Sequence, residues 1–177
     1  DDECGCGHDH EHHHDHGHHH EHRGLHEILH IIEHADMTER AKKTAVRIFQ
    51  ILAEAESKAH GVPADQVHFH EVGAVDSIVD ILAVAVCLDN LDITEVIVPF
   101  LCEGQCSIRC QHGIIPVPVP AVVNIAQAHG LTLKPTGVQG ELVTPTGAAI
   151  VAAVRTSDKL PQTCRIVKIG MGAGKRE

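Results

Sequence analysis

The segment that most constrains the fold runs from residue 77 to residue 91, "SIVDILAVAVCLDNL". Placed on a helix, it is apolar on nearly every side, and a helix of that kind is buried rather than laid on a surface. Asp76 lies immediately before it and is well placed to act as the N-cap. The chain is therefore expected to enclose this helix between other layers of secondary structure.

Helix-like and strand-like segments alternate around that helix. Capping and glycine signals predict four further helices. The first covers 25–34, and the second runs from a capping box of Asp36 and Glu39 to Gly61. The third runs from Pro120 to just before Gly130, and the fourth begins at a turn at 144–147. Strand-like runs lie at 67–72, 93–100, 107–111, 131–134 and 165–169. The alternation predicts an α/β fold with a mixed, mostly buried sheet flanked by helices.

The core has to be built from small aliphatic side chains. Among 177 residues there is no Trp and no Tyr, and Phe occurs only at positions 49, 69 and 100. Ala, Val, Ile and Leu therefore supply the packing, as expected of helices laid against a sheet. The length fits one domain, which we place at residues 25–177. The preceding segment, residues 1–24, lacks core-forming residues and is expected to be flexible.

Histidine dominates that first segment. Of the fifteen residues from 8 to 22, ten are His, and the rest are Asp, Glu or Gly. Imidazole suits Zn, Cu, Fe and Ni, and interleaved acids attract divalent cations. An expression tag or a solvated linker explains this composition less well, so the segment is predicted to bind metal, of a kind that composition does not determine. The candidate ligands are His12, His13, His14, His18, His19 and His20.

A second set of histidines follows on the first predicted helix. His26, His30 and His34 recur every four residues, so they form a stripe beside the apolar face. The stripe either extends the metal-binding segment onto a helix or is a polar, solvated face. The spacing supports both interpretations equally.

The stretch 67–80, "VHFHEVGAVDSIVD", contains the main candidate site. His68 and His70 are two residues apart on a predicted strand, so they point to one face. Asp76 and Asp80 are one helical turn apart and share a face of the following helix. With Glu71, these groups suit a Zn, Mn, Fe or Ni site at the carboxyl end of a strand, or acid/base chemistry. The alternative is an ordinary strand-to-helix turn in which Asp76 only caps.

Three cysteines fall at equal spacing before His112, namely Cys102, Cys106 and Cys110. In extended chain they span about 26 Å, so a shared metal site would require Gly104 to reverse the chain. Thiols that are simply buried are the other interpretation, and it extends to Cys87 and Cys164.

Two glycine-containing turns are candidate anion sites. Thr144 and Thr146 lie in "TPTG" at a predicted helix start, where backbone amides can hold an anion. Lys175 lies in "GMGAGKR", which fails the spacing of a phosphate-binding loop but can still form a glycine-rich anion turn. Taken singly, each turn is equally well explained as structural.

Charge and composition exclude several classes of function. The net charge is −10, and the 14 Lys and Arg residues form no basic patch, which argues against nucleic-acid binding. No apolar run approaches the roughly 18 residues of a membrane span. Seven cysteines, an odd number, and the lack of a secretory signal favour a reducing cytosol.

The order of five blocks along the chain resembles one family. The blocks are "VHFHEVG", "DSIVDI", "HGIIPVPVPA", "GELVTPTGAAI" and "KIGMGAGKRE". Over about residues 25–177 they are similar to the nickel insertion proteins of the lactate racemase cofactor pathway, whose members often carry a histidine-rich insert ahead of these blocks.

The resemblance implies that nickel is inserted into pyridinium-3,5-bisthiocarboxylic acid mononucleotide to give the nickel-pincer nucleotide. This lyase-class reaction uses CTP with Mn(II) or Mg(II). On this basis His68, His70, Glu71, Asp76 and Asp80 are expected to be metal or acid/base groups. The substrate-binding candidates are His112, Thr144, Thr146 and Lys175.

The chain also departs from the family pattern. The opening segment with its "GDM" block and the C-terminal module that the family associates with nickel and CTP are both absent, so a missing module or partner chain is expected to be needed. Cys106 stands where a glycine is expected. Association between copies of the chain is left open. The competing hypotheses are a nickel store or chaperone acting through residues 1–24, and a metal-dependent phosphoester hydrolase.

Overall fold

The computed structural model describes residues 24–63, 75–110 and 113–172. Within them, five helices and four strands follow one another in the order α1, α2, α3, β1, β2, β3, α4, β4 and α5. Their bounds are α1 Leu25–His34, α2 Glu39–His60, α3 Val75–Asn90, β1 Leu101–Gln105, β2 Ser107–Cys110, β3 Gly113–Pro116, α4 Pro120–His129, β4 Leu133–Gln139 and α5 Pro145–Val154.

The strands pair in two separate two-stranded sheets. β1 and β4 are parallel, with Leu101 opposite Leu133, and the register shifts between Glu103 and Gln105. β2 and β3 form an antiparallel hairpin. The predicted mixture of helices and strands is confirmed. The prediction of one mostly buried sheet is wrong for the described residues, because the strands form two sheets and β4 is largely exposed.

The core lies mainly between helices. α2 passes through its centre and packs against α1, α3, α4 and α5. The fully or nearly fully buried helical side chains include Ile28, Ile32, Ala45, Ile48, Phe49, Leu52, Ile81, Val122, Ile125, Ala148 and Ala149. Small aliphatic residues thus supply the packing, as predicted, but their principal partners are helices rather than a sheet.

The C-terminal end of α2 agrees with the prediction, whereas its N-terminal end does not. Thr38, not Asp36, is the N-cap, and its Oγ1 accepts a hydrogen bond from the Ala41 backbone N–H at 3.1 Å. The predicted capping box is therefore wrong. Gly61 ends the helix with a φ of 68°, a left-handed conformation that glycine adopts without steric cost.

The helix that was expected to be buried all round, α3, is buried on one face only. Ile78, Ile81 and Ala85 face the core, whereas the Val79 side chain is 55% exposed. The helix begins at Val75, so Asp76 lies within its first turn and is not the N-cap that the sequence predicted. No helix in the described part of the chain is long and apolar enough to cross a membrane.

Two of the predicted strands do not form. In the segment 93–100 the pairing is a single bridge between Ile97 and Ser157. The segment 165–169 adopts no regular structure, and Val167 in it is 80% exposed. The other two predictions that can be compared, at 107–111 and 131–134, correspond to β2 and to the start of β4. The predicted strand over 67–72 lies outside the described residues.

Candidate functional site

A cavity of about 330 Å³ lies where four elements meet. They are the last turn of α2, the β2–β3 hairpin, the start of α4 and the turn before α5. Its lining residues are Glu56, Ala59, His60, Ile108, Ile115, Val119, Pro120, Ala121, Glu141, Thr144 and Pro145. A volume of this size is at the lower end of the range for small-molecule sites.

Two helices begin at the cavity wall. Thr144 is the N-cap of α5, and its Oγ1 accepts a hydrogen bond from the Gly147 N–H at 3.1 Å. Val119 is the N-cap of α4, with Pro120 in the first turn, and no described side chain caps this helix. Both helix starts therefore present partial positive charge and backbone N–H groups near the cavity, which favours an anion there.

The remaining wall combines a His–Glu contact with apolar side chains. His60 Nε2 lies 3.4 Å from Glu56 Oε2 across one turn of α2. Ile108 and Ile115, from the hairpin, and Val119 are among the apolar lining residues. The cavity thus combines apolar surface with a few polar groups, which is the usual composition of a small-molecule pocket.

Glu103 in β1 holds the turn that leads to Thr144. Its side chain is 1% exposed, and its Oε1 accepts hydrogen bonds from the backbone N–H groups of Gly104, Leu142 and Val143 at 2.8, 2.9 and 3.1 Å. Oε2 is buried without a hydrogen-bond partner among the described residues. One carboxylate oxygen therefore fixes the backbone just before the α5 N-cap.

Gly104 allows the same turn to approach β1 closely. A Cβ placed on Gly104 would lie deep inside van der Waals contact with the Gly140 carbonyl oxygen, and 2.9 Å from that of Val138. The Gly140 N–H in turn donates to the Gln105 carbonyl at 2.9 Å. Glu103 and Gly104 were both missed as site-supporting residues. The available signal was an acid followed by glycine between the predicted strands 93–100 and 107–111.

Of the predicted substrate-binding residues, Thr144 lines the cavity and Thr146 does not. Thr146 is the second residue of α5 and is partly buried. His112 and Lys175 lie outside the described residues. Glu56 and His60, which line the cavity, were not among the predicted site residues.

The predicted metal and acid/base groups are only partly described. Asp76 and Asp80 are exposed, lie one turn apart at the start of α3, and are not among the cavity-lining residues. The others fall outside the described ranges, namely His68, His70, Glu71 and the ligands His12, His13, His14, His18, His19 and His20. Within 24–63, 75–110 and 113–172, no group of three or more His, Cys, Asp or Glu side chains is placed to hold a metal ion.

The cysteines that are described are free thiols. Cys102 and Cys106 belong to the segment interpreted as a metal site or as buried thiols, and both are exposed. Cys87 and Cys164 are exposed too, so the prediction of burial is wrong for all four. Cys106 has a φ of 75°, a conformation that favours glycine.

Comparison with known proteins identifies the family. A family model described as "Nickel insertion protein" matches residues 5–177. Because the match covers nearly the whole chain, the chain belongs to the nickel insertion protein family, as its resemblance predicted.

Three of the similar relatives carry the same name. A protein of Alkaliphilus metalliredigens (strain QYMF), named pyridinium-3,5-bisthiocarboxylic acid mononucleotide nickel insertion protein, is 55% identical over 88% of this chain and 37% of its own length. Proteins of the same name from Geobacillus kaustophilus and Acetivibrio thermocellus are 45% and 40% identical over 97% and 99% of this chain. The chain spans 40% and 42% of those two proteins. No solved structure matches it.

Proposed function

We propose that the chain takes part in inserting nickel into pyridinium-3,5-bisthiocarboxylic acid mononucleotide, in a lyase-class reaction that uses CTP with Mn(II) or Mg(II). The names of the relatives support the substrate and the metal. Because the chain spans about two fifths of their length, we propose that the remaining region, or a partner chain that replaces it, completes the activity. The free thiols fit a cytosolic location.

The cavity beside Thr144 is the proposed binding site of the mononucleotide, and it is the observation on which the proposal mainly rests. Thr144 Oγ1 accepts a hydrogen bond from Gly147, so its O–H can still donate to a phosphate oxygen. The start of α5 provides the favourable electrostatic environment for that phosphate. Ile108 and Ile115 offer an apolar wall for the flat pyridinium ring.

Charge on the same wall favours a mononucleotide over a ligand with more phosphates. Glu56 and Glu141 bring carboxylates to the cavity lining, and these carboxylates repel each additional phosphate that a larger ligand would carry. We propose that the phosphate lies at Thr144 and the ring beside the hairpin.

Nickel is a substrate of this reaction. In the product that the resemblance implies, Ni(II) is bonded to two sulfur atoms and a ring carbon. Forming the nickel–carbon bond releases the proton that the carbon carried, so a base must accept it. The proposed groups for binding nickel and for this proton transfer remain His68, His70, Glu71, Asp76 and Asp80. Asp76 and Asp80 share an exposed face of α3, which leaves both carboxylates accessible to an incoming ion.

The test is a nickel insertion assay with the mononucleotide, NiCl₂, CTP and MnCl₂. The chain is assayed alone and together with the remaining region of the Alkaliphilus metalliredigens relative, and the nickel-containing nucleotide is measured by mass spectrometry. We expect product in the combined reaction, at least ten-fold less with Thr144→Val, and near-normal product with Thr144→Ser. Equal product when the chain is omitted would refute the proposal.

Deleting residues 1–24 separates insertion from simple nickel carriage. Insertion that survives the deletion at saturating nickel would show that residues 25–177 carry the reaction and that the chain is more than a nickel carrier. Loss of insertion at every nickel concentration, with the fold intact by circular dichroism, would indicate that the histidine-rich segment carries the function.

A further inference from the structure

Helix α1 presents a row of exposed histidines on the side away from its buried residues Ile28 and Ile32. His26, His30 and His34 are each one turn apart. The rings of His30 and His34 are in contact, with centroids 4.2 Å apart and planes inclined by 31°. Two imidazoles this close are within reach of one metal ion, because metal–nitrogen bonds of about 2 Å place two neighbouring ligand atoms about 3–4 Å apart.

The hydrogen bond of His34 fixes which of its ring nitrogens is available. His34 Nδ1 lies 2.9 Å from the His30 carbonyl oxygen. A carbonyl oxygen can only accept, so Nδ1 carries the proton and donates it. In the neutral ring, Nε2 then has a free lone pair. Histidines that bind metal ions are commonly oriented in this way, with the second ring nitrogen donating to a carbonyl or carboxylate.

We propose that His30 and His34 together bind a nickel ion through Nε2 of each ring, with water completing the coordination. Imidazole is a favourable ligand for nickel, and the i, i+4 spacing lets both rings reach one ion after a rotation of the exposed His30 side chain. The proposed ligands are other residues than those that line the cavity beside Thr144 and other than the candidate groups His68, His70, Glu71, Asp76 and Asp80.

The site has the properties of a transfer point rather than a store. It has two protein ligands and is open to water, so the bound ion can exchange with a better set of ligands. The choice of nickel rests on the proposed function, whereas the two-histidine geometry does not. Nickel binding can be measured without the mononucleotide, so failure of this proposal is distinguishable from failure of the insertion proposal.

The experiment is a residue-resolved NiCl₂ titration of the chain comprising residues 1–177. His26 and the ten histidines from residue 8 to residue 22 are replaced by Gln so that they do not compete for the ion. Imidazole ¹⁵N signals are followed by NMR, because paramagnetic Ni²⁺ broadens the signals of the rings that bind it. We expect His30 and His34 to broaden together, at a nickel concentration at least five-fold lower than His129, a histidine on α4 without another histidine one turn away.

Single substitutions in the same background test the pairing. His30→Gln is expected to move the midpoint for His34 at least five-fold upward, because the chelate is lost, and His34→Gln should do the same for His30. His129→Gln is the matched control and should leave both midpoints unchanged. An unaltered His34 midpoint in His30→Gln, or broadening of His30 and His34 no earlier than of His129, would overturn the proposal.

Discussion

The cavity beside Thr144 and the histidine face of α1 differ in how they are assembled. The cavity is enclosed by four elements that are distant along the chain, and its turn is held by Glu103 from β1. The histidine face belongs to one helix, and its orienting hydrogen bond joins residues four apart. A site of the first kind depends on the stability of the whole fold, whereas one of the second kind depends only on its helix.

This difference predicts how the two sites respond to mutation. Substitutions of the residues that support the cavity should reduce both the stability of the fold and mononucleotide binding. Substitutions on the α1 face should change nickel binding and leave stability unaffected.

The largest effect is expected from Gly104→Ala. The added Cβ would clash with the carbonyl oxygens of Gly140 and Val138, and backbone atoms cannot move aside as a flexible side chain can. We expect a loss of at least about 3 kcal/mol in the free energy of unfolding, measured with urea. Gly137→Ala is the matched control, because nothing described lies within 4 Å of its Cβ position. An equal effect of the two variants would contradict the close approach of the turn to β1.

Glu103→Ala should have the next largest effect on stability. It removes the acceptor of three backbone N–H groups and leaves that of Val143 buried without a partner. We expect a loss of about 2 kcal/mol in the free energy of unfolding and weaker mononucleotide binding, measured by calorimetry. Glu95→Ala, at an exposed position, is the control and should change stability by less than about 0.5 kcal/mol. Unchanged mononucleotide binding in Glu103→Ala would show that the turn held by Glu103 does not contribute to the binding site.

Thr144→Val should have an intermediate effect on stability. It removes the oxygen that accepts from Gly147 and caps α5, which costs about 1 kcal/mol in thermal or urea unfolding. Thr144→Ser keeps a capping oxygen and should recover most of that loss. If the Val and Ser variants are equally stable, the capping hydrogen bond contributes nothing measurable.

His34→Gln should have the smallest effect on stability. The side chain is exposed and its hydrogen bond is local, so we expect a change within about 0.5 kcal/mol. With His26 and the ten histidines of residues 8–22 replaced by Gln, the same substitution should nevertheless weaken nickel binding at His30 at least five-fold. A large stability loss would show that this face is part of the folded core, which would remove the contrast between the two sites.

The helix boundaries show how far local signals go. Gly61 and Gly130 end α2 and α4, as predicted, because glycine adopts positive φ without steric cost. Thr144 begins α5 for an equally local reason, because its side chain accepts a hydrogen bond from Gly147 three residues later. By contrast, Asp36 and Thr38 both satisfy the residue preferences for a cap, and the structure selects Thr38. Two nearby capping signals cannot be ranked by spacing alone.

Strands and burial were harder to predict, because they depend on partners. The segment 165–169 has an apolar, strand-like sequence but no strand partner among the described residues, so it forms no ladder. α3 is apolar nearly all round, yet only one of its faces meets other described helices. A hydrophobic pattern indicates which side chains are suited to burial, but the arrangement of neighbouring elements decides which of them are covered.

The sequence by itself determined the family, the starts and ends of several helices, and the histidine spacing on α1. Each of these depends on residue order or on contacts within about four residues. Only the tertiary structure decided that Glu103 and Gly104 support the turn before Thr144, and that α2 and the hairpin complete a cavity beside it. Those contacts join residues about 40 to 90 positions apart, so they follow from packing and backbone hydrogen bonding across the fold, which no local pattern records.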